Sequence, residues 1–314
     1  MKNVVVIGSG VLGSQIAFQC AYVSKKVNLI IQDESQRNDA LEKLNNLKNN
    51  YLEDINKMSS KDSDVLKYWC FGISNYEDFN KELCIKNVEN AINNINISVI
   101  NESIISNADI IIESVTENIS VKKSVFENIS KYVNNKTIVV TNSSTMLPSK
   151  LSKFIKYPNR FLSMHFANTI WKNNIVEVMR HSKTDDDAFK SVISFGKSIN
   201  MVALPLNKEK SGYLLNSMLI PLLFSGLDLL VNGISDVESI DKAWTLGTGS
   251  PKGPFQILDT VGLNTAYEIV KMYVNIPSFL APYNFKGMEK LLKEYIDKGK
   301  LGKSTKEGFY KYKN

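Results

Sequence analysis

VVVIGSGVLGSQIAFQCAYV (residues 4–23), followed by VNLIIQDE (27–34), decides the fold. VVVI is a continuous apolar run, as expected of a strand buried on both faces of a parallel sheet. The segment after the glycines carries helical spacing, and VNLIIQDE reads as a second buried strand. Strand, glycine turn, helix and strand make a βαβ unit.

GSGVLG (8–13) matches G-x-G-x-x-G, with the small Ala17 four residues on, where helix must approach strand. Gly8 permits the tight turn. Gly10 lets the backbone approach a pyrophosphate, with Val11 and Leu12 in the same turn, and Gly13 allows close helix packing. The phosphates then rest on the positive end of the helix. The motif alone is weak; its place between a buried strand and a helix gives it weight. At the end of the second strand stands Asp33, with Glu34 beside it. A carboxylate there accepts hydrogen bonds from both ribose hydroxyls and repels a 2′-phosphate, so NAD(H) is expected over NADP(H). The spacing from Gly8 is slightly long, which keeps Glu34 as a substitute, and a turn residue without a ligand is the plainer alternative.

Outward from this unit, residues 36–60 read as a polar helix and 62–95 as an added helical or mixed excursion. Regular alternation resumes with strands at ISVI (97–100), ADIIIESV (108–115) and KTIVVTNSS (136–144), and with a helix at NISVKKSVFENISKYV (118–133). RFLSMHF (160–166), IVEVM (175–179) and MVALPL (201–206) read as strands around the helix TDDDAFKSVISFGKSI (184–199), whose first turn takes negative charge from Asp185 to Asp187. From about Lys208 only helical patterns follow. The first, SGYLLNSMLIPLLFSGLDLLVNG (211–233), is long and apolar and contains Pro221, where a kink is expected. The expected architecture is α/β: a dinucleotide-binding domain with a mainly parallel sheet over residues 1–207, then an all-α domain over 208–314.

Composition agrees. At 314 residues the chain exceeds the roughly 250–300 at which single cores stop growing. The net charge of +6 is spread along the chain, without the dense basic clusters of a nucleic-acid binder. Cys20, Cys70 and Cys84 show no CxxC spacing and leave one unpaired in any disulfide scheme, which favours a reducing compartment and argues against structural zinc. No signal peptide and no apolar run long enough to span a bilayer is read, so a cytoplasmic protein with no membrane role is expected.

One of the two histidines, His165, lies in SMHFANTIWKNNIVEV (163–178), with Glu177 twelve residues after it. A histidine in a strand is more often a satisfied core residue than a catalyst. Here the strand ends where ligands of open α/β folds bind, and a carboxylate on Nδ1–H would orient the ring and raise its basicity. Asn168 and Ser144, the latter in TNSST, cluster near it in the reading. His181, in RHSKT, reads as a surface histidine.

TNSSTMLPS, HFANTIWKNNIVEVM, SGYLLNSMLIPLL, GSPKGPFQILDTVGLNTA and LGKSTKEGFYKYK occur in an order that resembles the L-3-hydroxyacyl-CoA dehydrogenase family, over the whole chain apart from the 62–95 excursion. Within it the chain looks most like the diketoreductase-type branch. The resemblance implies a Rossmann domain, a helical dimerising domain, and NAD-dependent interconversion of 3-hydroxyacyl and 3-oxoacyl groups in fatty acid metabolism. It implies that His165 is the general base and acid at the C3 oxygen and that Glu177 holds it. Ser144, and Asn216 from the second domain, would hydrogen-bond the reacting oxygen, and Asn168 would fix substrate or loop. Glu117, Lys122 and Asn142 fall where the family meets the cofactor; for Lys122 a solvated helix start is the competing reading. The implied partners are a small 3-hydroxyacyl or 3-oxoacyl substrate carried on coenzyme A and a second copy of the chain, with no nucleic acid and no metal.

The chain departs from the family at several points. HFFNP becomes HFANT, so Ala167 and Thr169 replace an aromatic and a proline, which should open the substrate side and loosen the loop. Pro-Gly-Phe becomes Ser211-Gly212-Tyr213, and Lys303-Ser304 replaces a lysine pair. The segment between the second and third strands, which in the family forms an arm over coenzyme A, is longer here, with Lys57, Lys61 and Lys67 as candidates for its phosphates. Two other functions compete: a diketoreductase or other β-keto ester or hydroxy-acid dehydrogenase that needs no coenzyme A, and an NAD(H)-sensing protein without turnover.

Overall fold

The computed structural model describes residues 1–60, 65–277 and 279–312, which form two compact units, Met1–Leu214 and Leu215–Asn314. Lys61 lies outside the described residues.

Among the described residues the first unit is built on eight strands: β1 (Asn3–Ile7), β2 (Lys26–Ile30), β3 (Ile95–Ser98), β4 (Ile110–Glu113), β5 (Ile138–Thr141), β6 (Phe161–Phe166), β7 (Ile175–Met179) and β8 (Val202–Leu206). Their order across the sheet is β3-β2-β1-β4-β5-β6-β7-β8, and every pairing is parallel except β6 with β7. The period of two explains the apolar runs. Val4 and Val6 enter one core with Ile110, Ile112, Val140 and Met164, while Val5 and Ile7 enter the other with Ile111, Val139 and Phe161. A strand covered on both faces has no side left for polar residues. The helices are α1 (Val11–Tyr22), α2 (Arg37–Met58), α3 (Lys81–Asn93), α4 (Glu102–Ser106), α5 (Ile119–Ile129), α6 (Pro148–Leu151) and α7 (Asp186–Ser198).

The excursion between β2 and β3 belongs to the main core. Trp69, Cys70 and Ile73 are buried in it, and the Gly72 N–H donates to the Trp171 carbonyl at 3.0 Å. A Cβ on Gly72 would stand 2.6 Å from the Trp171 Cα, so only glycine fits there.

His181 corrects its sequence reading: it is 3% exposed, and buried because the turn after β7 folds under the Pro158 segment. Its Nε2–H donates to the Pro158 carbonyl at 3.0 Å, and Nδ1 accepts from the Lys183 N–H at 3.3 Å. This arrangement requires the neutral ring.

The second unit holds α8 (Leu215–Val231), which continues through Pro221, then α9 (Val237–Thr248), α10 (Pro254–Val261), α11 (Leu263–Lys271) and α12 (Phe285–Asp297). Leu223, Phe224, Leu227, Phe255, Met288 and Leu292 lie in its core. Two buried aspartates pin its ends together. Asp241 accepts from the N–H groups of Phe255 and Gln256, and Asp259 accepts from those of Phe309 and Tyr310. Met218, Ile234, Leu246, Met272 and Phe279 of this unit are exposed.

Burial holds the His181 pKa below the ordinary imidazole value of 6.5, against the opposing pull of the Pro158 carbonyl. The unfolded chain therefore takes up a proton on this residue before the folded one does. Its contribution to stability is full above about pH 6.5 and is lost as pH falls below that. The melting temperature, followed by circular dichroism, should decline from pH 7 towards pH 5. His181→Gln should reduce that decline; an unchanged slope would contradict the assignment.

Candidate active site

The antiparallel register of β6 and β7 sets His165 opposite Glu177 as cross-strand partners. Side chains of directly opposed residues emerge on the same face of a sheet, so the two meet without distortion. His165 Nδ1 lies 3.1 Å from Glu177 Oε2. The carboxylate can only accept, so Nδ1 carries hydrogen in this pairing and Nε2 is left to exchange a proton. Among the described residues Nε2 has no partner, and the imidazole side chain is 14% exposed against 2% for Glu177. The second carboxylate oxygen, Oε1, accepts from the Leu214 N–H at 2.8 Å.

Tyr213 fixes the ring plane. Its ring stacks on His165 at 4.5 Å between centroids and 21° between planes, and its hydroxyl donates to the Ser143 carbonyl at 2.6 Å. Tyr213 is buried with φ 54°, a left-handed conformation for which the preceding Gly212, with φ 81°, prepares the turn. Burial raises its pKa well above the usual phenol value, so the hydroxyl stays a donor. Sequence reading treated Tyr213 only as a departure from a family phenylalanine. The added hydroxyl was the available signal.

Ser144 follows β5, exposed, and its hydroxyl makes no hydrogen bond within the described residues. Asn142 ties neighbouring strand ends: its Oδ1 accepts from the Phe166 N–H at 3.0 Å, and its Nδ2 donates to Ser114 Oγ at 3.4 Å. Asn168 is exposed in the turn after β6, and its carbonyl accepts from Asn173 Nδ2 at 2.8 Å. Asn216 stands in the first turn of α8, in the second unit.

Lys122 corrects the reading of a solvated helix start. It is buried, with Nζ 2.7 Å from Glu113 Oε1 and 3.3 Å from Glu117 Oε2. Glu113, itself fully buried, also accepts from Thr141 Oγ1 at 2.6 Å. Glu117 accepts from the N–H and hydroxyl of Thr145 and from Ser143 Oγ. Burial pushes the Glu117 pKa up, but these hydrogen bonds and Lys122 outweigh it, and the carboxyl is held below its ordinary value. The network spans the ends of β4 and β5 and shapes the segment that carries Ser144.

The glycine turn is as the motif requires. Gly8 has φ 108°, and a Cβ on Gly13 would stand 2.0 Å from the Gly8 carbonyl oxygen. At Gly10 a Cβ would meet nothing within 4 Å, so open space faces the turn. No side chain caps α1 and no acidic residue stands in its first turn, which leaves its positive end to a ligand. A cleft of ≈ 850 Å³ adjoins it, lined by Gly8, Ser9, Gly10, Gln32, Lys43 and Thr116 among others. Its size and this cradle fit a dinucleotide. Val11 is exposed and Leu12 half-buried at the same turn.

Asp33 does not stand at a strand end. β2 stops at Ile30, and the Ile31 N–H still donates to the Ser98 carbonyl. Asp33 lies beyond, its Oδ1 taken by the Ser35 N–H at 3.0 Å, and the acidic group of Glu34 is paired with Arg37. Neither lines the cleft, whereas Gln32, Gln36, Asp39 and Lys43 do. Their turn position carried no motif signal. Lys57 pairs with Glu53 at 2.6 Å, a surface contact within one helix.

The loop between β6 and β7 is not loosened by the loss of proline. Thr169 adopts φ 59°, closed to proline, and its N–H donates to Gln15 Oε1 at 2.9 Å. Trp171 Nε1 donates to the buried Asp54 at 2.7 Å.

Comparison with known proteins adds to this geometry. The profile of the 3-hydroxyacyl-CoA dehydrogenase NAD binding domain matches residues 3–209, and that of the C-terminal domain of the same family matches residues 212–312. The chain is 30% identical to a probable 3-hydroxyacyl-CoA dehydrogenase of Caenorhabditis elegans over 314 residues, all of this chain and 93% of that one. It is 29% identical to the human mitochondrial hydroxyacyl-coenzyme A dehydrogenase, covering all of this chain and 92% of the other. Among solved structures, a diketoreductase described for dual catalysis of dicarbonyl compounds superposes with a TM-score of 0.84 at 38% identity, over 99% of each chain. The (S)-3-hydroxybutyryl-CoA dehydrogenase of Ralstonia eutropha shares the fold, with a TM-score of 0.76 at 24% identity over 100% of each chain.

Removing one member of a buried, hydrogen-bonded ion pair leaves a charge without compensation. Lys122→Met should therefore cost roughly 3–5 kcal/mol in stability. Chemical denaturation of the variant measures this, and a loss under about 1 kcal/mol would mean that Lys122 is not integral to the network.

Proposed function

The chain belongs to the 3-hydroxyacyl-CoA dehydrogenase family and is an NAD-dependent oxidoreductase, and on that premise we propose that it interconverts a 3-hydroxyacyl and a 3-oxoacyl group, with a short (S)-3-hydroxyacyl-CoA, such as 3-hydroxybutyryl-CoA, as substrate. One observation carries the reading: an imidazole whose Nδ1 is braced by a buried carboxylate, with Nε2 free for a proton.

In the oxidative direction His165 Nε2 takes the proton of the C3 hydroxyl, and the positive charge that forms is stabilised by Glu177. In reduction the same nitrogen returns the proton to the carbonyl oxygen. The Glu177 carboxylate keeps its ring partner because the Leu214 N–H holds the other oxygen. Ser144, exposed and unpartnered among the described residues, donates to the reacting oxygen and stabilises the charge it carries. Asn216 is assigned the same task by the family pattern, and Asn168 is assigned to the substrate or its loop. When bound, NAD supplies the hydride acceptor and NADH the donor. Gly8, Gly10, Val11, Leu12 and Gly13 form the turn that takes its phosphates, and Asn142, Glu117 and Lys122 shape the strand ends beside it.

A second reading keeps the chemistry and changes the carrier. The likeness to a diketoreductase acting on dicarbonyl compounds, at 38% identity, favours a β-keto or β,δ-diketo ester without coenzyme A. The smaller Ala167 beside the catalytic strand fits a substrate whose bulk lies near the reacting carbon.

The exposed apolar side chains of the second unit, Met218, Leu246 and Met272 among them, support a homodimer in which a second copy covers them. Three buried thiols with no disulfide are in keeping with a cytoplasmic setting.

Turnover of NADH with acetoacetyl-CoA and with a diketo ester tests the carrier. Activity on the thioester supports the first reading, and activity confined to the ester replaces it with the second. His165→Ala should lower kcat by about 10²–10⁴ while NADH affinity, read by fluorescence, stays near wild type. Equal losses in both would make the histidine structural. Ser144→Ala should lower kcat by about 10²–10³.

A further inference from the structure

Gln15 lies in the second turn of α1, the helix whose first turn closes the glycine motif, and it is 7% exposed. Its side chain leaves the helix and reaches the loop between β6 and β7. Oε1 accepts two backbone hydrogen bonds, from Thr169 at 2.9 Å and from Ile170 at 3.3 Å. Both donors are main-chain N–H groups, so the oxygen end of the amide is assigned without ambiguity. One acceptor holding two consecutive amides fixes a backbone path; Thr169, a β-branched residue, is kept at φ 59°, a conformation such residues rarely adopt. An unfavourable backbone state persists only where its surroundings over-determine it.

The loop so held starts directly after His165 and Phe166 and contains Asn168. Its far half has separate anchors, the Gly72 N–H on the Trp171 carbonyl and Trp171 Nε1 on Asp54. Gln15 holds the near half to α1, through the amides that follow Asn168.

We propose that Gln15 is a positioning residue for the reaction: it fixes the loop after His165 to the cofactor helix, so that the proton-transfer pair and the phosphate-binding turn are held in one frame. The inference deepens the reading of His165 given above and rests on it. Its chemistry is that of an acceptor on a rigid element. A side chain without an oxygen leaves two loop amides unpaired and frees Asn168 and the end of β6 to shift, and a displacement of about 1 Å at a reacting pair costs up to roughly 10² in rate.

Gln15→Met keeps length and apolar bulk and removes the acceptor; Gln15→Glu keeps the acceptor. In the cofactor-free protein, hydrogen exchange of the peptide covering residues 167–173 should be faster in Gln15→Met than in wild type, with exchange elsewhere unchanged. In turnover Gln15→Met should lose about 10–100-fold in kcat, with NADH affinity within twofold of wild type. Gln15→Glu should restore both the slow exchange and most of the rate. Unchanged exchange at 167–173 in a folded Gln15→Met overturns the proposal. So does a loss of NADH affinity as large as the loss of kcat, which would make Gln15 a cofactor contact. If Gln15→Met does not fold, a Gln15→Glu protein that folds but turns over as slowly as the proposed loss overturns it equally. A wild-type protein that reduces no 3-oxo compound would instead refute the function proposed for His165, and the exchange comparison would still decide whether Gln15 holds the loop.

Discussion

The contact between His165 and Glu177 depends on backbone register before it depends on side chains. The two residues oppose each other in the antiparallel pairing of an otherwise parallel sheet. A slip of one residue would send one of them to the opposite face, because successive side chains alternate. The hairpin from β6 to β7 is therefore the constraint on which the site rests. Its loop is secured from three sides, by α1 through Gln15, by α2 through Asp54, and by the excursion through Gly72.

Around this pair, the buried charges of Glu177, Glu113 and Lys122 each have a partner. Glu177 has the imidazole on one oxygen and the Leu214 amide on the other. Glu113 and Glu117 share the Lys122 ammonium. Such groups add little net stability over an apolar core of the same shape, yet each becomes costly when its partner goes. Their value lies in specificity: a hydrogen-bonded ion network has few alternative arrangements, and the strand ends that carry Ser143, Ser144 and Thr145 inherit that restriction.

Much of this was legible in the sequence because it is written in local patterns. The apolar run of β1, the glycine turn and the spacing of α1 specify the βαβ unit without help from distant residues. The strands bearing His165 and Glu177 were readable for the same reason, and the twelve-residue separation suits a hairpin. The features that escaped are long-range. Nothing local tells that Lys122 is buried on Glu113, that the turn at His181 folds under Pro158, or that Gln15 meets a loop more than 150 positions away. Asp33 stands farther from the strand than the sequence suggested: β2 stops at Ile30, and the carboxylate accepts from the Ser35 N–H in the turn beyond it. The HFANT loop shows the limit of reasoning by subtraction. Losing a proline suggested slack, but the amide that proline lacks is the group that ties the loop down.

The stacking of Tyr213 on His165 has a magnetic consequence. The chain contains two histidines, and their surroundings differ. One imidazole is stacked on a phenol ring with centroids 4.5 Å apart, and the other is buried with the Phe161 ring centred 6.4 Å away. Ring current from the phenol shields protons above its face, so the carbon-bound protons of His165 should resonate upfield of those of His181. The two imidazoles thus offer native NMR reporters, one on the contact between β6 and β7 and one on the packing of the turn after β7 against Pro158.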